Sequence, residues 1–143
     1  AERLSYDAPT LPLFVHERLS TKAILETLKS HQKDTQESLD LFGDPDERST
    51  VVTAIELPET IDGAKVPGAL RKLGITANGG QNQLKGRILR IAHCGYFGAF
   101  DILTSLAGLE MVLQQLGHEV ELGAGPGAAQ QVFLEAGVAP TPA

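Results

Sequence analysis

The sequence predicts an α+β fold: a small, mostly antiparallel sheet with helices packed on one face. Three observations predict it. Two short runs of β-branched and aliphatic residues, "TVVTAIELP" and "GRILRIAHC", read as strands. Other stretches place apolar residues every three or four positions, as amphipathic helices do. From Thr50 onward the order is strand, helix, strand, strand, helix, short strand, helix, which suits a small sheet covered on one side. The 143 residues fit one domain, or a small domain with an extension. Apolar residues make up 42% and aromatics only 5%, so the core must be aliphatic.

Residues 1–40 form an unassigned N-terminal segment with one helix. Pro9 and Pro12 break any helix near its start, and "LPLFVH" (11–16) reads as a short strand. "STKAILETLKSHQKDTQESLDLF" reads as helix, with Ala23, Ile24 and Leu28 on one face and Ser20 or Thr21 as cap. Its second half is polar all round. "GDPDERS" is a loop. The strand "TVVTAIELP" ends at Pro58. "DGAKVPGALRKLG" spaces Val66, Ala69, Leu70 and Leu73 as a helix, with Asp62 as cap and Gly74 at its stop. Pro67 is tolerable there only in the first turn. "ITANGG" reads as a short strand entering a glycine turn, in which "NGG" can adopt positive φ. The clearest helix is "FGAFDILTSLAGLEMVLQQLG", with Ile102, Leu106, Leu109, Leu113 and Leu116 on one face. "HEVEL" reads as a last short strand, "GAGPG" as a plain linker or hinge, and "AAQQVFLEAG" as a closing helix.

A net charge of −6 argues against general nucleic-acid binding, which needs a basic face, and against anionic membrane surfaces. No apolar run approaches the ~20 residues that span a bilayer, and no signal peptide is visible. The one cysteine, Cys94, allows no internal disulfide, so we expect a reducing, cytoplasmic setting. The chain starts Ala1-Glu2-Arg3 without an initiator Met, so we expect processing or a longer parent.

Chemistry concentrates at one residue. In "RILRIAHC" the alternation of a strand puts Leu89 and Ile91 on one face, with Arg87 and His93 as outer neighbours. Ile88, Arg90, Ala92 and Cys94 share the other. A guanidinium beside two small residues cannot be buried unpaired. It meets an acid of this chain, such as Glu56, or a ligand carboxylate in the fork geometry that guanidinium suits. Other signals are weak. There is no GxGxxG opening a helix and no GxxxxGK[ST]. The four histidines (His16, His31, His93, His118) form no metal spacing with Cys94. His93 and Cys94 are adjacent and so face opposite ways, against a nucleophile pair. Glu110 and Glu121 read as ordinary surface carboxylates.

Three blocks, "STVVTAIELPETIDG", "LRKLGITANGGQNQLKGRILRIAHCGYF" and "LEMVLQQLGHEVELGAG", resemble the C-terminal small domain of class V, fold-type I, pyridoxal-phosphate aminotransferases. The likeness is to the serine–glyoxylate and alanine–glyoxylate group, including proteins labelled as the large subunit of a soluble hydrogenase. Family members carry a variant of "GGQ…LKG…RIGHMG", with Ala92 here in place of Gly and Cys94 in place of Met. The resemblance implies a small domain over 41–143. It implies that Arg90 grips the substrate α-carboxylate, beside a mobile glycine-rich segment, Gly79, Gly80 and Gln81. It implies pyridoxal phosphate in the whole enzyme, with its Schiff-base lysine in a large domain of the same or a separate chain. None of Lys22, Lys29, Lys33, Lys65, Lys72 or Lys85 sits in that lysine's motif. We therefore expect no catalytic residue, bound cofactor or metal in this chain alone, and no activity by itself. Expected partners are an amino-acid or 2-oxo-acid carboxylate and the cofactor domain; the family also admits a homodimer. The other reading is a non-catalytic binding or interaction module that retains the small-domain fold.

Overall fold

A computed structural model describes residues 21–29, 39–49, 51–95 and 98–137. The strand expected over 11–16, and the polar half of the first helical run, lie outside the described residues. Four strands, β1 (Asp40–Leu41), β2 (Val52–Glu56), β3 (Asn78–Gly79) and β4 (Ile88–Ala92), form one sheet in the order β1-β2-β4-β3. Every neighbouring pair is antiparallel. The helices are α1 (residues 21–29), α2 (Val66–Lys72), α3 (Ala99–Gln115) and α4 (Ala124–Glu135). This is the expected α+β architecture.

Alternation along the two central strands builds the core. Ile55 of β2 and Leu89 of β4 are directly paired and fully buried. Ile91, Leu41 and Leu57 join them in one cluster with Ile24 and Leu28 of α1, Leu70 of α2 and Leu106 and Leu113 of α3. Burying each such side chain contributes about 1.5–3 kcal/mol. The opposite face carries half-buried Val52, Ala54 and Arg90, buried Ile88, and exposed Glu56 and Ala92.

Local signals set the ends of α2 and α3. Asp62 accepts a hydrogen bond from Ala64 N at 3.2 Å, capping the 3-10 turn that leads into α2. Pro67 occupies the first turn of α2, where its missing N–H is harmless. Gly74 follows at φ 81° and stops it. At the start of α3, Asp101 accepts from Gly98 N at 2.6 Å.

Four expectations fail here. The first helical run does not reach Phe42, because residues 40 and 41 pair with β2 as a strand. Residues 118–121 form no strand; a turn at Gly117 (φ 95°) carries the chain directly toward α4. "GAGPG" is no linker, since Gly123 is the N-cap of α4 and the remaining four residues are helical. Glu110 is no surface carboxylate: it is 4% exposed, and its oxygens accept from Gly123 N and Gly125 N, each at 2.7 Å. An α-helix leaves its first N–H groups without internal partners. Gly123 has no side chain to cap them, so an acid from α3 does so across the helix pair. Gly125 also meets α1, because its carbonyl lies 2.9 Å from the Thr27 hydroxyl. That hydroxyl is likewise 2.9 Å from Ala23 O, so one proton is shared between two carbonyls. Three helices thus converge on one glycine.

Replacing Glu110 with alanine leaves the buried Gly125 N–H and the part-buried Gly123 N–H without this acceptor. We expect a loss of about 2–4 kcal/mol, seen as a lower urea midpoint at unchanged slope. Glu110→Gln, which retains one acceptor oxygen, should lose less.

Candidate carboxylate-binding site

Arg90 sits in the middle of β4 between inward-facing Leu89 and Ile91, 0% and 6% exposed. Its own side chain is half-buried on the outer face. The Nε–H donates to the Gly79 carbonyl at 3.0 Å. Gly79 belongs to the edge strand β3, so this bond draws the guanidinium away from β2. Glu56, the acid the sequence offered as a partner, stands on β2 opposite Ile88, diagonal to Arg90. No acidic group among the described residues forms an ion pair with Arg90. The expected intrachain acid is therefore not found there. No described residue forms an ion pair with the terminal amino groups of the fork.

The glycine segment has a different logic from the one its sequence suggests. Asn78, Gly79 and Gly80 do not have positive φ; that conformation falls on Asn82 (φ 51°) and Gly86 (φ 75°). Gly80 is required by closeness instead. Its N–H donates to Ile88 O at 3.1 Å, and a Cβ there would overlap the backbone carbonyl of Leu84. The hairpin between β3 and β4 folds back on Gly80, which holds the Gly79 carbonyl against Arg90. Gln81 is exposed and precedes the 3-10 turn Asn82–Leu84. No hydrogen bond joins it to Arg90.

His93, the residue after β4, is fully buried. Its Nε2 and the Thr53 Oγ1 share a 2.7 Å hydrogen bond, which ties the end of β4 to β2. Cys94, next to it, is exposed, so the two do not form a reactive pair. Sequence reasoning assigned His93 no task and misplaced Glu110. The spacing held a signal for Glu110, which lies four residues after Leu106 and three before Leu113, inside the buried stripe of α3.

Two concavities adjoin the sheet, of about 680 and 210 Å³, and Arg90 lines neither. The larger lies between Phe42, Glu56, Ile61, Leu84 and Ile88. The five described lysines are all exposed at the surface. Two of them, Lys29 and Lys65, pair with Glu26 and Asp62 three residues earlier. Among the described residues no three His, Cys, Asp or Glu gather to hold a metal. No described helix is long and apolar enough to cross a membrane.

No family model matches the chain. It is 37% identical over 123 residues to an uncharacterised aminotransferase of Methanocaldococcus jannaschii, covering 84% of this chain and 29% of that protein. It is 39% identical over 101 residues to the (S)-ureidoglycine–glyoxylate transaminase of Bacillus subtilis, covering 69% and 24%. The crystal structure of the ureidoglycine–glyoxylate aminotransferase from Bacillus subtilis matches with a TM-score of 0.75 at 33% identity, over 85% of this chain and 30% of that one. The pyridoxamine–pyruvate aminotransferase of Mesorhizobium loti shares the fold, with a TM-score of 0.75 at 21% identity. The chain spans less than a third of the length of these relatives.

Replacing Gly80 with alanine should push Leu84 and the hairpin off β4. We expect a stability loss of about 1–3 kcal/mol, from the overlap of the new methyl group with backbone. The shift should register in the NMR signal of the Arg90 Nε–H, which reports the bond to Gly79.

Proposed function

We propose a role for this chain from one premise: it belongs to the aminotransferase family, in which it makes up a small domain. In our reading the whole enzyme moves an amino group between a small amino acid and a 2-oxo acid. Pyridoxal phosphate, which acts as the electron sink for such transfers, is held there by a large domain outside this chain. The part played here is recognition. Arg90 takes the substrate carboxylate, and Gly79 and Gly80 fix the direction in which it reaches.

The observation that carries this reading is a half-buried mid-strand guanidinium with one nitrogen bonded internally and no ion pair among the described residues. A cation on a partly desolvated face gains most from a planar carboxylate that takes two parallel N–H bonds. Holding Nε on a backbone carbonyl limits the rotamers to be frozen on binding, so less ordering entropy opposes it. In a whole enzyme this would fix one end of the substrate. The bond to be broken then adopts one orientation, which is where positioning contributes to rate. Glu56 remains diagonal and exposed, so it does not compete for the fork.

Titration of the chain with acetate tests the reading. Arg90→Gln should weaken binding roughly tenfold to a hundredfold, the worth of hydrogen bonds to a charged group. Arg90→Lys should recover little, since an ammonium lacks the fork. Equal affinity in wild type and Arg90→Gln would remove Arg90 from the site. The division of labour has its own test. Mixed with pyridoxal phosphate and an amino acid, then treated with borohydride, this chain should retain no stoichiometric cofactor label on lysine. A single lysine labelled one-to-one would place cofactor chemistry on this chain and end the small-domain account.

A further inference from the structure

The surroundings of Arg90 contain a second polar group that neither the sequence pattern nor the comparisons assign. Asn78 of β3 pairs in register with Arg90 of β4, and Ala54 of β2 pairs with it from the other side. Directly paired residues on neighbouring antiparallel strands project from the same face, with Cβ atoms about 4.5–5.5 Å apart. Across the outer face, the row therefore reads Ala54, Arg90, Asn78. Along β4, the same-face neighbours are Ile88 and Ala92. Each of these four positions is uncharged. Asn78 is exposed, and its amide bonds no described residue.

We propose that the Asn78 amide is a second carboxylate contact, donating Nδ2–H to the anion that Arg90 holds. The proposal rests on the carboxylate reading of Arg90. The Nε–Gly79 bond swings the guanidinium toward β3, which is the strand that carries Asn78. The bound carboxylate thus lies on the Asn78 side of β4, away from Ala54. An ionised carboxylate has about four acceptor positions, and one fork fills two. A neutral amide adds a donor without repelling the guanidinium and without neutralising it. An acid at this position would do the opposite. Standing directly across from Arg90, it would form the internal ion pair that the rest of the face avoids. Amide rather than carboxylate at position 78 is thus a choice with a chemical consequence.

The test is acetate titration of the 143-residue chain at constant ionic strength, followed on the backbone amide NMR signals of β3 and β4, and on the Arg90 Nε–H signal in variants that keep Arg90. Asn78→Ala should weaken binding roughly tenfold or more, as loss of one hydrogen bond to a charged group does. Asn78→Asp should abolish it to the level of Arg90→Gln, and its Arg90 signal should shift before any acetate is added. Asn78→Ser serves as a second small polar replacement and should fall between wild type and Asn78→Ala. Urea midpoints within error of wild type would confirm that the variants are folded. If Asn78→Ala and Asn78→Asp bind acetate like wild type while Arg90→Gln does not, the Asn78 contact is wrong and the Arg90 reading stands. If Arg90→Gln also binds like wild type, both fall.

Discussion

The antiparallel pairing of β2 with β4 constrains everything else in this protein. In its register Ile55 faces Leu89, Thr53 faces Ile91 and Ala54 faces Arg90. Side chains alternate along a strand, so burying Leu89 and Ile91 obliges Arg90 to take the outer face. A slip of one residue would reverse every side chain and drive a guanidinium into an aliphatic core. Core packing and the exposure of the cation are therefore one constraint seen from two sides. The Thr53–His93 bond adds a directional tie to this pairing from within the core.

The helix layer answers the needs of the sheet, and it is joined by polar contacts at one place. Gly125 donates to Glu110 of α3 and accepts from Thr27 of α1, while opening α4. Both side chains are buried and bonded, as buried polar groups must be. Such a junction adds little to net stability beyond apolar burial, because its bonds replace bonds to water. Its effect is on geometry. It sets where α4 starts, in a segment whose glycines and proline carry little helix propensity of their own.

The two faces of the sheet divide the work. One is covered by helices and supplies stability. The other carries half-buried Arg90, with uncharged residues directly beside it and exposed Glu56 on the diagonal. The chain spans less than a third of the length of the relatives it matches, and in our reading the remainder of a whole enzyme lies outside it. In the same reading the outer face is where that remainder and the substrate meet Arg90. Preorganisation by the Gly79 carbonyl then matters more than burial, since the site need not be closed by this chain alone.

Much of this was legible in the residues themselves. The strands β2 and β4, the helices α2 and α3, the Asp62 cap and the outward direction of Arg90 all follow from short-range periodicity and local capping. These depend on neighbours within a turn or two, and a linear text records neighbours. The tertiary structure alone decided the rest. That Arg90 bonds Gly79 rather than Glu56 depends on which strand lies beside β4 and in what register. That Gly80 must be glycine depends on how closely Leu84 folds back, not on its own φ. That Glu110 finds its partners at Gly123 and Gly125 depends on the start of α4 lying against it. Each of these is a contact between segments that the chain brings together only on folding, and its energy has no trace in the residues that flank it.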